Sequence, residues 1–120
     1  MALCVLGAAK ALTLAASSFT LAWTHSVEKI EWRENWTVSE AALHLTEARV
    51  KGSGAGMDPA EGARLIDGWW VWTPDVPPVD HLLLAASGET VSAWELCAAG
   101  TCIALGSVAG APIELRPCPQ

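Results

Sequence analysis

The sequence predicts an all-β fold, a single small antiparallel β-sandwich or barrel-like domain over residues 1–120. Three observations predict it. Apolar residues recur at every second place in short runs, as a half-buried strand requires. Gly, Pro and Ser turns separate those runs. No segment keeps a 3.6-residue period for long. The length suits one domain, and 52% hydrophobic against 17% charged residues suits a packed core rather than a disordered chain.

The elements follow in chain order. Leu3 and Val5 alternate with Cys4 and Leu6, "GAAK" makes a turn, and Leu12 and Leu14 resume the alternation. Phe19, Leu21 and Trp23 form one face of a strand, and Ile30, Trp32, Trp36 and Val38 form another. "SEAALHLTEAR" (39–49) is the best helical alternative, because Ala, Leu and Glu favour helix. Its strand-like flanks favour a hairpin, with "SEAA" as the connection and Leu43 and Leu45 beyond it. Later strands are "GWWVWT" (68–73), "HLLLAAS" (81–87), "VSAWELC" (91–97), "CIAL" (102–105) and "PIELRP" (112–117). "TPDVPPVD" (73–80) is too rich in proline for a central strand. "KGSGAGMDP" (51–59) is a glycine loop, and it fits neither the phosphate-binding nor the dinucleotide fingerprint.

The apolar N-terminal stretch is cut by Lys10 and diluted by Thr13, Ser17, Ser18 and Thr20. It is too short for a spanning helix and has the wrong charge order for a signal peptide. It is expected to be structural. The chain then carries no clear export address or transmembrane helix, which makes the cytoplasm the default compartment and the periplasm or a membrane surface the alternative.

Charge excludes one function class. Lys+Arg number 7 and Asp+Glu 13, for a net charge of −6. Lys29, Arg33, Arg49, Lys51, Arg64 and Arg116 are scattered along the chain, without the basic stripe of a nucleic-acid binder. Of the four cysteines, Cys97 and Cys102 flank the hairpin-like "AAGT" and could face each other across two strands. A Cys97–Cys102 disulfide, small buried thiols and a metal site are the alternatives, and the spacing is poor for zinc. No cofactor is expected.

The phase of alternation breaks near His25. Phe19, Leu21, Trp23 and His25 are odd-numbered, whereas Ile30, Trp32, Trp36 and Val38 are even-numbered. "SVEK" has no Gly, Pro, Asn or Asp for a tight turn. The expectation is therefore a bulge or sharp bend in one long strand. His25 and Ser26 point to opposite faces of such a strand and cannot form a dyad, and no G-x-S-x-G elbow exists. Glu34 shares a face with Trp32 and Trp36. A small enzyme or metal protein using His25 with Glu31 or Glu34 is one reading, and a half-buried structural histidine is the plainer one. His44 and His81 have no telling metal-ligand spacing.

"HSVEKIEWRENW" and "GSGAGM" resemble the bacterial family called domain of unknown function 1850, with "LAASG" and the late Cys pair in weaker support. The resemblance implies a small β-rich domain without an assigned activity. It also implies a frequent setting beside tripartite ATP-independent periplasmic (TRAP) transporters of the TAXI type. His25, Ser26, Glu28, Glu31, Glu34, Gly54, Ala55, Gly56 and Met57 match the family pattern and are the candidate ligand-binding residues. The function so implied is a non-catalytic accessory that binds transporter subunits or a small polar solute. The "HSVE" bend and the "GSGAGM" loop are expected to approach each other.

Overall fold

The computed structural model describes residues 1–7, 11–24, 30–52, 62–86 and 93–119. Eleven strands and no helix occur among them. The strands are β1 (Ala2–Leu6), β2 (Ala11–Leu14), β3 (Ser18–Thr24), β4 (Glu31–Val38), β5 (Leu43–Lys51), β6 (Arg64–Ile66), β7 (Trp69–Trp72), β8 (Leu82–Ala86), β9 (Trp94–Ala98), β10 (Thr101–Leu105) and β11 (Gly110–Cys118). They build two antiparallel sheets. One has the order β2-β1-β11-β8, the other β10-β9-β3-β4-β5-β7-β6. Among the described residues each sheet keeps two free edges, so the all-β expectation is met by a sandwich rather than a closed barrel.

The inner faces supply the core. Leu3, Val5, Leu84, Ile113 and Leu115 of the smaller sheet pack against Phe19, Leu21, Trp36, Leu45 and Leu96 of the larger. Leu3, Leu21, Leu43, Leu96 and Leu115 are wholly or almost wholly buried, and burial of each such side chain is worth about 1.5–3 kcal/mol. The N-terminal stretch is structural as expected, with β1 lying between β2 and β11.

The hairpin alternative at 39–49 holds. Ser39 N–H and Oγ both donate to the Ala42 carbonyl, at 2.9 and 3.1 Å, and close the turn between β4 and β5. The proline-rich segment is not a central strand either. It contributes one bridge, in which Leu43 and Val79 exchange backbone hydrogen bonds of 2.7 and 3.0 Å.

One expectation is overturned. β3 and β4 are not one bent strand but an antiparallel pair, running from Ser18↔Thr37 to Thr24↔Glu31. This register sets odd-numbered residues of β3 beside even-numbered residues of β4, and that is the phase change seen in the sequence. The lack of turn residues excludes only a tight two-residue turn. A connection of more residues can in general reverse a chain without the residues that favour positive φ. One bulge lies elsewhere, in β5. Asn35 opposes Glu47 but Trp36 opposes Leu45, leaving Thr46 as the extra residue. Thr46 Oγ1 donates to the Asn35 carbonyl at 3.0 Å and occupies that irregularity.

Candidate functional site

β4 separates two chemistries by alternation. Trp32, Glu34 and Trp36 face inward, and Glu31, Arg33 and Asn35 face outward. The register extends each face across neighbouring strands. On the inner face, Leu96, Leu21, Glu34, Ala48 and Trp72 form one row. Trp23, Trp32, Val50 and Trp70 form the next. The aromatic rings make an almost continuous platform. Trp23 stacks on Trp32 at 6.2 Å, Trp94 tilts against Trp23 at 4.9 Å, and Trp72 meets Trp32 edge-on at 6.4 Å.

Glu34 is the one carboxylate in these two rows. Its cross-strand neighbours, Leu21 and Ala48, are buried and cannot hydrogen-bond to it. Burial raises its pKa above the ordinary carboxylate range, and a hydrogen bond from the Trp36 indole partly opposes the rise. That bond runs from Trp36 Nε1 to Glu34 Oε1 at 3.1 Å. Trp32 Nε1, by contrast, is buried with no acceptor among the described residues. A buried unpaired N–H costs about 1–3 kcal/mol, so the group carries a standing demand for an acceptor. A half-buried carboxyl, an unpaired indole donor and an aromatic platform together suit a small polar molecule with one flat or apolar side.

The structure divides the residues singled out from sequence. Glu34 shares its face with Trp32 and Trp36, as the alternation indicated. Glu31 lies on the opposite face, where it pairs with Arg33 at 2.8 Å, so Glu31 and Glu34 do not form one site. His25, Ser26 and Glu28 lie outside the described residues, as do Gly54, Ala55, Gly56 and Met57, and with them the expected approach of the two stretches. The strand ends that carry both stretches do sit together. Thr24 pairs with Glu31, and β5 ends at Lys51, one residue beyond the Trp32↔Val50 pair.

The cysteines form two disulfides. Cys97 and Cys102 oppose each other across the β9–β10 hairpin with Cα atoms 4.0 Å apart. Cys4 joins Cys118, linking β1 to β11, with Cα atoms 5.9 Å apart. Among the described residues, one group has metal-ligand proximity: Glu95, Cys97 and Cys102. Its two sulfurs are bonded to each other. His44 and His81 are both exposed, and His81 pairs with its neighbour Asp80.

Sequence reasoning missed the outer face of β4 to β7. Arg33, Arg49 and Lys51 surround the Trp69 ring there, at 5.0, 5.9 and 5.1 Å from its centroid. Alternate residues on β4 and β5 carried the signal, but it becomes readable only once the strand register is known.

Comparison with known proteins gives one match. Residues 19–105 fit the family model described as Domain of unknown function (DUF1850). The match covers β3 to β10 and therefore both rows of the inner face. No curated protein and no solved structure matches the chain.

Proposed function

The chain belongs to the DUF1850 domain family, and on that basis we propose that it is a non-catalytic accessory of TRAP-type solute transport, a single domain that binds a small polar solute or a transporter subunit. The observation that carries the binding part is the inner face of β4. There a desolvated Glu34 and the unpaired Trp32 indole lie among tryptophans. In this reading His25, Ser26, Glu28 and Gly54 to Met57, which match the family pattern in the sequence, are the further candidates for contact with the ligand. The disulfides support work in an oxidising compartment such as the periplasm, because such bonds rarely persist in a reducing cytosol.

The test has two arms. Co-purification with the subunits of a neighbouring TRAP transporter, and loss of uptake on deletion, are expected of an accessory. Intrinsic tryptophan fluorescence should respond to the transported solute and lose that response in Trp32→Phe. Absence of association, transport defect and fluorescence change together would refute the reading.

The raised pKa of Glu34 favours one alternative, an enzyme or metal protein that pairs His25 with Glu34, because perturbed carboxyls cluster at catalytic sites. It predicts bound metal in the purified protein or a chemical activity lost in His25→Ala. If His25→Ala only lowers the melting temperature, the histidine is structural.

A further inference from the structure

The cations that look scattered in the sequence gather when the sheet forms. Cross-strand register places Arg33 beside Arg49, Arg49 beside Val71, and Val71 beside Arg64. The adjoining row runs Lys51, Trp69, Ile66. Four of the chain's 7 basic residues therefore share one corner of one outer face, in a protein of net charge −6. Val71 is buried on this solvent-side face between the arginine positions, as expected where long cationic side chains lay their stems over apolar surface.

Among the described residues, the charge at this corner is only half balanced. Arg33 pairs with Glu31 and Arg49 with Glu47, at 2.8 and 2.6 Å. Lys51 and Arg64 have no ion-pair partner among the described residues. Contact with the Trp69 ring holds Arg33, Arg49 and Lys51 in place but supplies no counter-charge.

β6 borders the same corner. It is the edge strand of the larger sheet, and all three of its residues are exposed. Leu65 is 53% exposed and Ile66 45%. Among the described residues no strand pairs with the outer side of β6, which leaves backbone donors and acceptors open, and natural edges are usually blunted by shortness, charge or proline. Here Arg64 is the only charged residue of β6, beside two large apolar ones.

We propose that this corner docks an extended acidic segment of a partner protein, which adds as a further strand along β6. Alternation fixes the chemistry of that segment. Side chains on the outer face would meet Arg64 directly and lie in the field of the cations around Trp69, which stand two and three strands further in, so they are acidic. Those on the inner face would meet Leu65, so they are apolar. A lipid surface offers negative charge but no ordered strand to pair with the open backbone. The proposal is independent of the inner-face ligand, because Glu34 points the other way.

The probe is a dye-labelled peptide of about eight residues, the length of a strand, alternating Asp and Val. Fluorescence anisotropy should show binding that weakens with added salt. Arg64→Glu should weaken it about tenfold or more, and Lys51→Glu, two strands further in, by a smaller factor. Both positions are exposed, and circular dichroism would check that the variants fold. A Lys/Val peptide should not bind, a peptide with Pro at alternate positions should bind less, and Glu34→Gln should bind as the parent does. The proposal is overturned by no binding at about millimolar peptide. It is equally overturned by indifference to both charge reversals, by equal binding of the Lys/Val or Pro peptide, or by binding to phosphatidylglycerol vesicles in place of the peptide.

Discussion

The Trp36 indole donates to the Glu34 carboxylate at 3.1 Å, from two positions along the same inward face of β4. Trp36 belongs to the core, while Glu34 has given up much of its water and gained one hydrogen bond in return. The bond is the smaller effect, so the carboxyl titrates above its ordinary range.

This has a consequence for stability. A carboxyl whose pKa is raised by folding holds its proton more tightly in the folded chain. Its favourable contribution is complete below the unfolded pKa and is lost as pH rises through the folded pKa. Thermal melts of the parent and Glu34→Gln from about pH 4 to about pH 8 should therefore diverge as pH rises. The Gln variant should be the more stable of the two near neutrality. A difference that does not vary with pH would show that Glu34 is solvated.

Trp32 offers a separate test. Phenylalanine keeps most of the ring and removes the unpaired N–H. Trp32→Phe should leave the melting temperature of the ligand-free protein unchanged or raise it. Trp32→Ala, which removes the stacking with Trp23 and the edge contact with Trp72 of a half-buried ring, should lower stability by about 1–3 kcal/mol. If Trp32→Phe is as damaging as Trp32→Ala, the indole N–H has a partner in the folded protein.

The two disulfides should differ in worth. Cys4–Cys118 spans 114 residues and Cys97–Cys102 only 5. Loop-closure entropy gives about 5 kcal/mol for the first and about 2 kcal/mol for the second. Urea denaturation of the Cys4→Ala/Cys118→Ala and Cys97→Ala/Cys102→Ala double variants would measure both. The reverse order would mean that chain entropy does not govern their contribution.

The β9–β10 hairpin carries an improvable turn. Ala99 and Gly100 have φ of 52° and 79°, the left-handed pair that a two-residue hairpin turn requires. Asp67 and Gly68 adopt the same signs at the β6–β7 turn, with residues suited to it. Ala99→Asn should stabilise the protein by about 0.5–1 kcal/mol, because alanine is strained there and asparagine far less so. Equilibrium unfolding of this single variant tests it, and a loss of stability would refute the assigned turn.

Much of this architecture was legible in the chain. Period-two alternation gave the strands from Leu3 to Leu115, and it put Glu34 with Trp32 and Trp36. The flanking strands outweighed the helix propensity of 39–49, and Ser39, a possible helix cap, closes the hairpin turn instead. The short β6 was not legible, since three residues are too few to show a period. The phase break at His25 was visible but could not be interpreted. A bulge and a reversal both shift parity, and only the pairing of Leu21 with Glu34 chooses between them.

The sequence by itself determined the all-β class and the faces of individual strands, and it allowed Cys97 to face Cys102, because each depends on spacing within a few residues. The tertiary structure decided what lies beside those faces. It separated Glu31 from Glu34, surrounded Glu34 with Leu21 and Ala48, gathered Arg33, Arg49 and Lys51 around Trp69, and set Arg64 across Val71 from Arg49. These neighbours come from strands far apart in the chain, and their register is fixed by burying Phe19, Leu21, Trp36 and Leu96 between two sheets rather than by any local preference.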